Sequence, residues 1–386
     1  MRFLAALWVV VHHSVLWTKQ LHTDTWLGRF ERYGFVAVSF FFVLSGYILA
    51  HVYLNSEDGF DKRKFLISRF ARIYPLLLLS LLLDVPLYFY RYALDHGKHH
   101  IFQAAFKSMF SFVLLQAWFG SKLLALNPPS WSLSAEAFFY LCFPLLGLAL
   151  SRWSKRTGWL SIALLWSLAM AVPLAVTLLY PALHDQVDAS QLQWFIVLNP
   201  LLRMGEFLVG IALCAVQKNF APKSSTLHRN RYGYLALVSA LGLFVLTIDQ
   251  SNRIPYMMMS NGFLIPVWAL LIFALVNIDR GLTVLLSHRY AVILGESSYA
   301  LYLLHGTIFA YLVHILHVTN MFWIILFPVL IACSACSLFY VERPARTFIL
   351  HYARVKPIVP QEQEQIALIM HMHLQTRNHE NSTKEL

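Results

Sequence analysis

Long apolar runs separated by short clusters of Lys and Arg recur along most of this chain. Runs of helix-spanning length lie near 3–18, 34–54, 72–90, 133–150, 158–179, 194–216, 233–248, 257–277, 290–314 and 320–340. A helix needs ~20 mostly apolar residues to cross the ~30 Å hydrocarbon core of a bilayer. The pattern predicts an all-α, polytopic integral membrane bundle of about ten transmembrane helices, in a membrane-embedded domain over 1–350. Residues 102–119 are ambiguous, because Gln103, Lys107, Ser108, Ser111 and Gln116 interrupt an otherwise apolar stretch. Positive charge, which concentrates in cytoplasmic loops, arbitrates. Lys62, Arg63, Lys64 and Arg69 follow the second run, Arg152, Lys155 and Arg156 the fourth, and Lys218, Lys223, Arg229 and Arg231 the sixth. Reading 102–119 as an interfacial or re-entrant segment places all three clusters inside, together with both termini. It also places the acidic Asp185–Asp188 loop outside. Lys19, Arg29 and Arg32 in the first outer loop run against this topology.

Composition changes the picture little. With 58% hydrophobic and 13% charged residues, the chain fits a membrane protein rather than a soluble one with a large core. The net charge of +11 sits in interhelical clusters, which suits anionic headgroups of a bilayer and gives no reason to invoke nucleic acid. Cys142, Cys214, Cys333 and Cys336 all lie in apolar runs, so neither a disulfide framework nor a metal site is expected. The first helix has no small-residue cleavage site and is expected to be retained. Residues 351–386 turn polar and predict a mobile cytoplasmic tail, with 365–374 apolar enough to lie on the membrane surface.

The candidate chemistry begins in the first helix, where Arg2 and His13 are the polar ends of one stripe. Eleven residues place them ~16 Å apart along a helix axis and ~20° apart around it. Ala6 and Val9 on the same stripe are small enough for close helix packing, while His12 points about a quarter-turn away. A cation at the rim and an imidazole deep inside should face protein or a water-filled cavity rather than lipid. Taken alone, His13 reads equally well as a hydrogen-bonding residue between helices. Ser39, Ser45 and Gly46 in the second run suit close packing. Arg69 and Arg72 share one helical face with Pro75 just beyond, the Pro pinning the early turn of the third span. They are either topology markers or a phosphate-binding pair. After Asn127-Pro-Pro, Ser130, Ser132 or Ser134 can cap a new helix whose first turns hold Glu136.

Taken in order, these stretches resemble the membrane-bound acyltransferase-3 family. The resemblance rests on Arg2…His13, Arg69-x-x-Arg72-Ile-Tyr-Pro75, Trp131-Ser-Leu-Ser-Ala-Glu136, Arg203-Met-Gly-Glu206, Glu296-Ser-Ser-Tyr…His305 and Glu342-Arg343-Pro344, and covers Met1 to about Arg346. It implies a bacterial inner-membrane enzyme that moves an acyl group, often acetyl, from cytoplasmic acyl-CoA to a hydroxyl of a carbohydrate or cell-surface glycan. No bound cofactor is implied; acyl-CoA is a co-substrate. The family pattern has several residues before its first Arg, which implies a start upstream of Met1. Some relatives carry an extracytoplasmic hydrolase-like domain, so a second transfer step would here need an extracytoplasmic partner protein.

Acyl transfer from a thioester needs a base for the hydroxyl proton, stabilisation of a tetrahedral oxyanion and exclusion of water. His13 is the expected base, with covalent catalysis through an acyl-imidazole left open. Glu136 is expected to orient or charge-balance a histidine, converging with His13 and His305 in the outer half of the membrane. Substrate contacts are assigned to Arg2, Arg69 and Arg72 for the donor phosphates, to His305 for the acceptor, and to Ser132. Glu342 and Arg343 are expected to form a structural ion pair or cap. The alternative is a polytopic transporter or flippase without acyl transfer, which would also bury His and Glu in a bundle.

Overall fold

In the computed structural model the described residues are 1–18, 25–54, 60–97, 100–180, 191–220, 224–278, 286–315 and 322–355, and all regular structure among them is helical. Eight helical stretches are long and apolar enough to cross a membrane. The two remaining runs of the ten expected hold α1 (Arg2–Thr18), with 17 residues, and α13 (Arg289–His314), with 26, neither of which is among those eight. These two carry His13 and His305. The protein is thus a polytopic helical membrane protein.

Close backbone packing organises the centre. Helix α3 (Ala37–Tyr53) lies against α9 (Pro200–Phe220) so tightly that a Cβ on Gly46 would collide with the carbonyl of Phe207. One on Gly210 would collide with the carbonyl of Val43. With no hydrophobic force between helices in lipid, such contacts supply the dispersion energy that holds them together. Helix α6 (Trp131–Thr157) packs on the same α9, through Phe139 and Phe143 against Phe207. Helix α1 crosses α13, and Ala6 and Val9 are buried as their stripe requires.

Three expectations about local structure need correction. Pro75 does not open the third span: α4 runs unbroken from Lys62 to His96, 35 residues, with Pro75 and Pro86 inside it. Asp61 caps it by accepting a hydrogen bond from the Lys64 amide at 3.0 Å, so the helix extends through the basic cluster before it meets the apolar run. The serines before Glu136 do not cap α6 either. Ser130 holds the cap position without a side-chain cap bond, Ser132 bonds elsewhere, and Ser134 donates to the Leu114 carbonyl at 2.5 Å. Finally, Glu342 and Arg343 do not pair with each other. A π-helical turn over Leu338–Glu342, after α14 (Phe322–Ser337) and before α15 (Arg343–Tyr352), lets Glu342 face Arg72 at 3.7 Å while Arg343 reaches Glu296 at 2.6 Å.

The 102–119 stretch is not a spanning helix. It forms α5 (Ile101–Phe112), whose 12 residues rise ~18 Å. The chain then breaks at Leu114 (φ 57°) and again at Gly120 (φ 64°). Asn127, in the left-handed region at φ 41°, pins the following loop. Its amide donates to Asp84 at 2.8 Å, and its side chain donates to Ser80 at 3.1 Å and to the Leu303 carbonyl at 2.9 Å. That clamp fixes where α6 begins relative to α4 and α13. The surface-helix expectation for 365–374 lies outside the described residues.

Candidate active site

A cavity of about 100 Å³ opens between α1, α3, α4, α6 and α13. Its wall includes Arg2, Arg69 and Arg72, and also Ser132 and Glu136, so five of the seven residues singled out from sequence line one space. Arg69 donates to the Tyr53 hydroxyl at 3.0 Å and lies over the rings of Tyr53 and Tyr140. Arg72 lies over Tyr299 and faces the buried carboxylate of Glu342. The aromatic faces and this carboxylate hold both guanidiniums on the cavity wall without filling the space in front of them.

Glu136 accepts hydrogen bonds at one carboxylate oxygen from Tyr140 at 2.5 Å and Ser45 at 3.1 Å. Its ring neighbour Tyr140 also lies under Arg69, which puts the carboxylate on the arginine side of the cavity. One turn earlier on α6, Ser132 meets the Tyr302 hydroxyl at 2.8 Å, and Tyr302 donates to the Pro129 carbonyl at 2.9 Å. Tyr302 is part of the cavity wall here.

The two histidines are not among the residues that line the cavity. His305 follows Tyr302 by three residues on α13, ~4.5 Å further along the axis. His13 Nδ1 and His305 Nε2 are 2.9 Å apart, with ring planes 21° apart. Trp17 lies near-parallel to His13 with centroids 5.4 Å apart, and packs on Phe309 at 4.1 Å. The structure therefore brings His13 and His305 together directly, and places Glu136 with Ser45 and Tyr140 rather than in contact with either imidazole. His12 faces elsewhere, edge-on to Phe35 at 5.4 Å and over Gly34, as its quarter-turn offset requires.

Sequence reasoning missed the aromatic residues. Tyr53, Tyr140 and Tyr299 hold Arg69, Arg72 and Glu136, and Tyr302 holds Ser132, yet Tyr in an apolar run looks like ordinary core or interface. Their place one turn from named residues, Tyr140 four after Glu136 and Tyr302 three before His305, was the available signal. A second polar centre also emerges. Arg203 and Glu206, 2% and 1% exposed, pair at 3.1 Å, and Ser39 bridges them by donating to Glu206 at 2.7 Å. Arg203 lies over Phe42 and Trp131, so this centre packs behind the cavity wall and ties α9 to α3 and α6. Among the described residues no group of three or more His, Cys, Asp or Glu side chains could hold a metal ion.

Comparison with known proteins identifies the family. The acyltransferase domain of the acyltransferase-3 family matches residues 1–341. The acyltransferase MdmB of Streptomyces mycarofaciens is 30% identical over 320 residues, which cover 81% of this chain and 78% of that protein. A putative peptidoglycan O-acetyltransferase of Bacillus subtilis, YrhL, is 27% identical over 81% of this chain but only 51% of its own length. A putative O-acetyltransferase of Staphylococcus aureus is 25% identical over 81% of the chain and 50% of its length, so the chain spans about half of these latter relatives. No solved structure matches. The chain belongs to the acyltransferase-3 family and is a membrane-embedded acyltransferase.

Proposed function

We propose that the enzyme moves an acyl group, acetyl in the simplest case, from cytoplasmic acyl-CoA to a hydroxyl of a carbohydrate or cell-surface glycan. The observation that carries this reading is a cavity with three arginines and Tyr302 on its wall, Tyr302 lying one helical turn from the His13–His305 contact. Arg2, Arg69 and Arg72 supply planar guanidiniums for the donor's phosphates. The thioester then extends toward Tyr302 and Ser132. His13 takes the proton of the attacking hydroxyl, and Trp17 with the surrounding apolar helices limits access of competing water. The resemblance to a protein named for peptidoglycan O-acetylation supports a glycan acceptor. The site belongs in a bacterial inner membrane with both termini cytoplasmic, and a further transfer beyond the membrane would use an extracytoplasmic partner protein.

Single-turnover transfer from acetyl-CoA by purified His13→Ala protein tests the base. Transfer should be lost while expression and melting temperature stay near wild type. A stable variant that still transfers at a substantial rate removes His13 from the mechanism. Arg69→Lys and Arg72→Lys test the donor site. Each keeps its charge but loses the bidentate fork, so KM for acetyl-CoA should rise with insertion unchanged. Unaltered donor kinetics would reduce the two residues to structural cations.

A further inference from the structure

Which nitrogen of His13 is free to act as a base is fixed by its neighbour. His305 Nδ1 hydrogen-bonds to the backbone carbonyl of Tyr302. A carbonyl oxygen can only accept, so this nitrogen carries a hydrogen, and in a neutral imidazole the other nitrogen then holds the lone pair. That other nitrogen, His305 Nε2, faces His13 Nδ1 at 2.9 Å. A hydrogen bond there requires the hydrogen on His13 Nδ1, which leaves the lone pair of His13 on Nε2. Among the described residues no protein group hydrogen-bonds to that Nε2.

The geometry points to His305 as a positioning residue that holds His13 in its Nδ1–H tautomer and so makes Nε2 the atom that receives the acceptor's proton. This rests on the general-base reading of His13 and extends it. The substrate hydroxyl oxygen bonds to the thioester carbonyl carbon while its proton passes to His13 Nε2. The resulting imidazolium donates through Nδ1–H to the His305 lone pair, a charge-assisted bond stronger than the neutral one. Collapse of the tetrahedral intermediate breaks the carbon–sulfur bond, and the Nε2 proton leaves with sulfur as the coenzyme A thiol. A histidine thereby fills the orienting place that a carboxylate holds beside other catalytic histidines, with the Tyr302 carbonyl as the fixed end of the chain. A neutral partner suits the site, since an unpaired carboxylate within the bundle would be costly.

Two variants of the full-length enzyme test this. His305→Phe keeps a flat ring but loses the acceptor, and His305→Gln restores an acceptor oxygen. With acetyl-CoA and N-acetylglucosamine oligomers, kcat should fall at least ~100-fold in His305→Phe, because a wrong tautomer leaves no base at the right atom. KM for acetyl-CoA should hold within about twofold, as expected for a group that acts on the reacting state alone, and His305→Gln should recover kcat at least ~10-fold. The second readout is independent of turnover. In ¹⁵N-histidine spectra of the wild-type enzyme, the signal lost in His13→Asn should report a protonated Nδ1 and a bare Nε2, and His305→Phe should mix the tautomers. A wild-type His13 protonated on Nε2, or a His305→Phe enzyme with unchanged kcat, overturns the assignment. Loss of transfer in His13→Ala together with either result would leave the base in place and remove only its orientation by His305. If the wild type does not transfer to these oligomers, the spectrum alone decides.

Discussion

At the residue scale, charged groups in this bundle are held by aromatic hydroxyls and faces as much as by opposite charges. Glu136 shows the consequence. Replacing it by Gln keeps an oxygen that accepts from Ser45 and Tyr140, so Glu136→Gln should insert and melt like wild type. Turnover should nevertheless fall, because the negative charge beside the arginines is gone; unchanged kinetics would make Glu136 a purely structural acceptor. Glu136→Ala should add a loss of stability of ~1–3 kcal/mol, the cost of leaving buried hydroxyls unpaired. His12 gives the opposite contrast. It is buried over Gly34 and against Phe35, so His12→Ala should lower the melting temperature through lost packing while the surviving enzyme keeps its kcat. For His13 the same measurements should reverse, and wild-type kcat should drop on acidification as an imidazole that gains a proton can no longer accept one. An acid limb absent from kcat would argue against proton transfer to His13 as the step that limits turnover.

At the element scale, the positions of the helices were legible from the run of apolar residues, and their ends were not. Where its residues are described, each of the ten runs falls on helix, because length and apolarity decide what crosses lipid, although 194–216 is split between Gln191–Leu198 and Pro200–Phe220 and 257–277 between Tyr256–Ser260 and Ile265–Asn277. The start of α4 escaped, since a helix that leaves the membrane continues through Lys62–Arg72 on its own hydrogen bonds, where hydropathy is blind. The π-helical turn that swings Glu342 toward Arg72 escaped too, because one extra residue per turn leaves no mark on an apolar pattern. The site shows the same division. Arg2, Arg69, Arg72, Ser132 and Glu136 were picked out through motifs that resemble the family, and depth along the helices suggested that His13 and His305 converge, whereas direct contact between residues 292 positions apart is not something spacing can reveal. Gly46 was readable in part, as a small residue fit for packing, and Gly210 was not. Gly210→Ala should separate α3 from α9 and lower both melting temperature and activity, because its Cβ meets main chain rather than a movable side chain. Gly242→Ala in α10 (Thr226–Asp249), where open space surrounds the site, should be neutral or stabilising by up to ~1 kcal/mol. Equal tolerance at both positions would refute the close α3–α9 contact.

At the scale of the whole molecule, everything turns on which side of the membrane each loop faces, and one short segment decides it. Helix α5 is too short for a ~30 Å core, and the breaks at Leu114 and Gly120 keep the following turns from extending it. The end of α4 and the start of α6 must then lie on the same side, with the end of α6 opposite. Asp95, near the end of α4, and Arg156, near the end of α6, are both exposed and suit single cysteines in a variant lacking Cys142, Cys214, Cys333 and Cys336. In intact cells an impermeant maleimide should label Asp95→Cys, and Arg156→Cys should react only after permeabilisation. That outcome would place the arginines of the cavity on the cytoplasmic side, where the proposed acyl-CoA donor would enter. Labelling of both cysteines from one side would mean that 101–123 crosses the membrane after all. Every later loop would then change sides, and the route by which donor and acceptor meet at His13 would have to be drawn again.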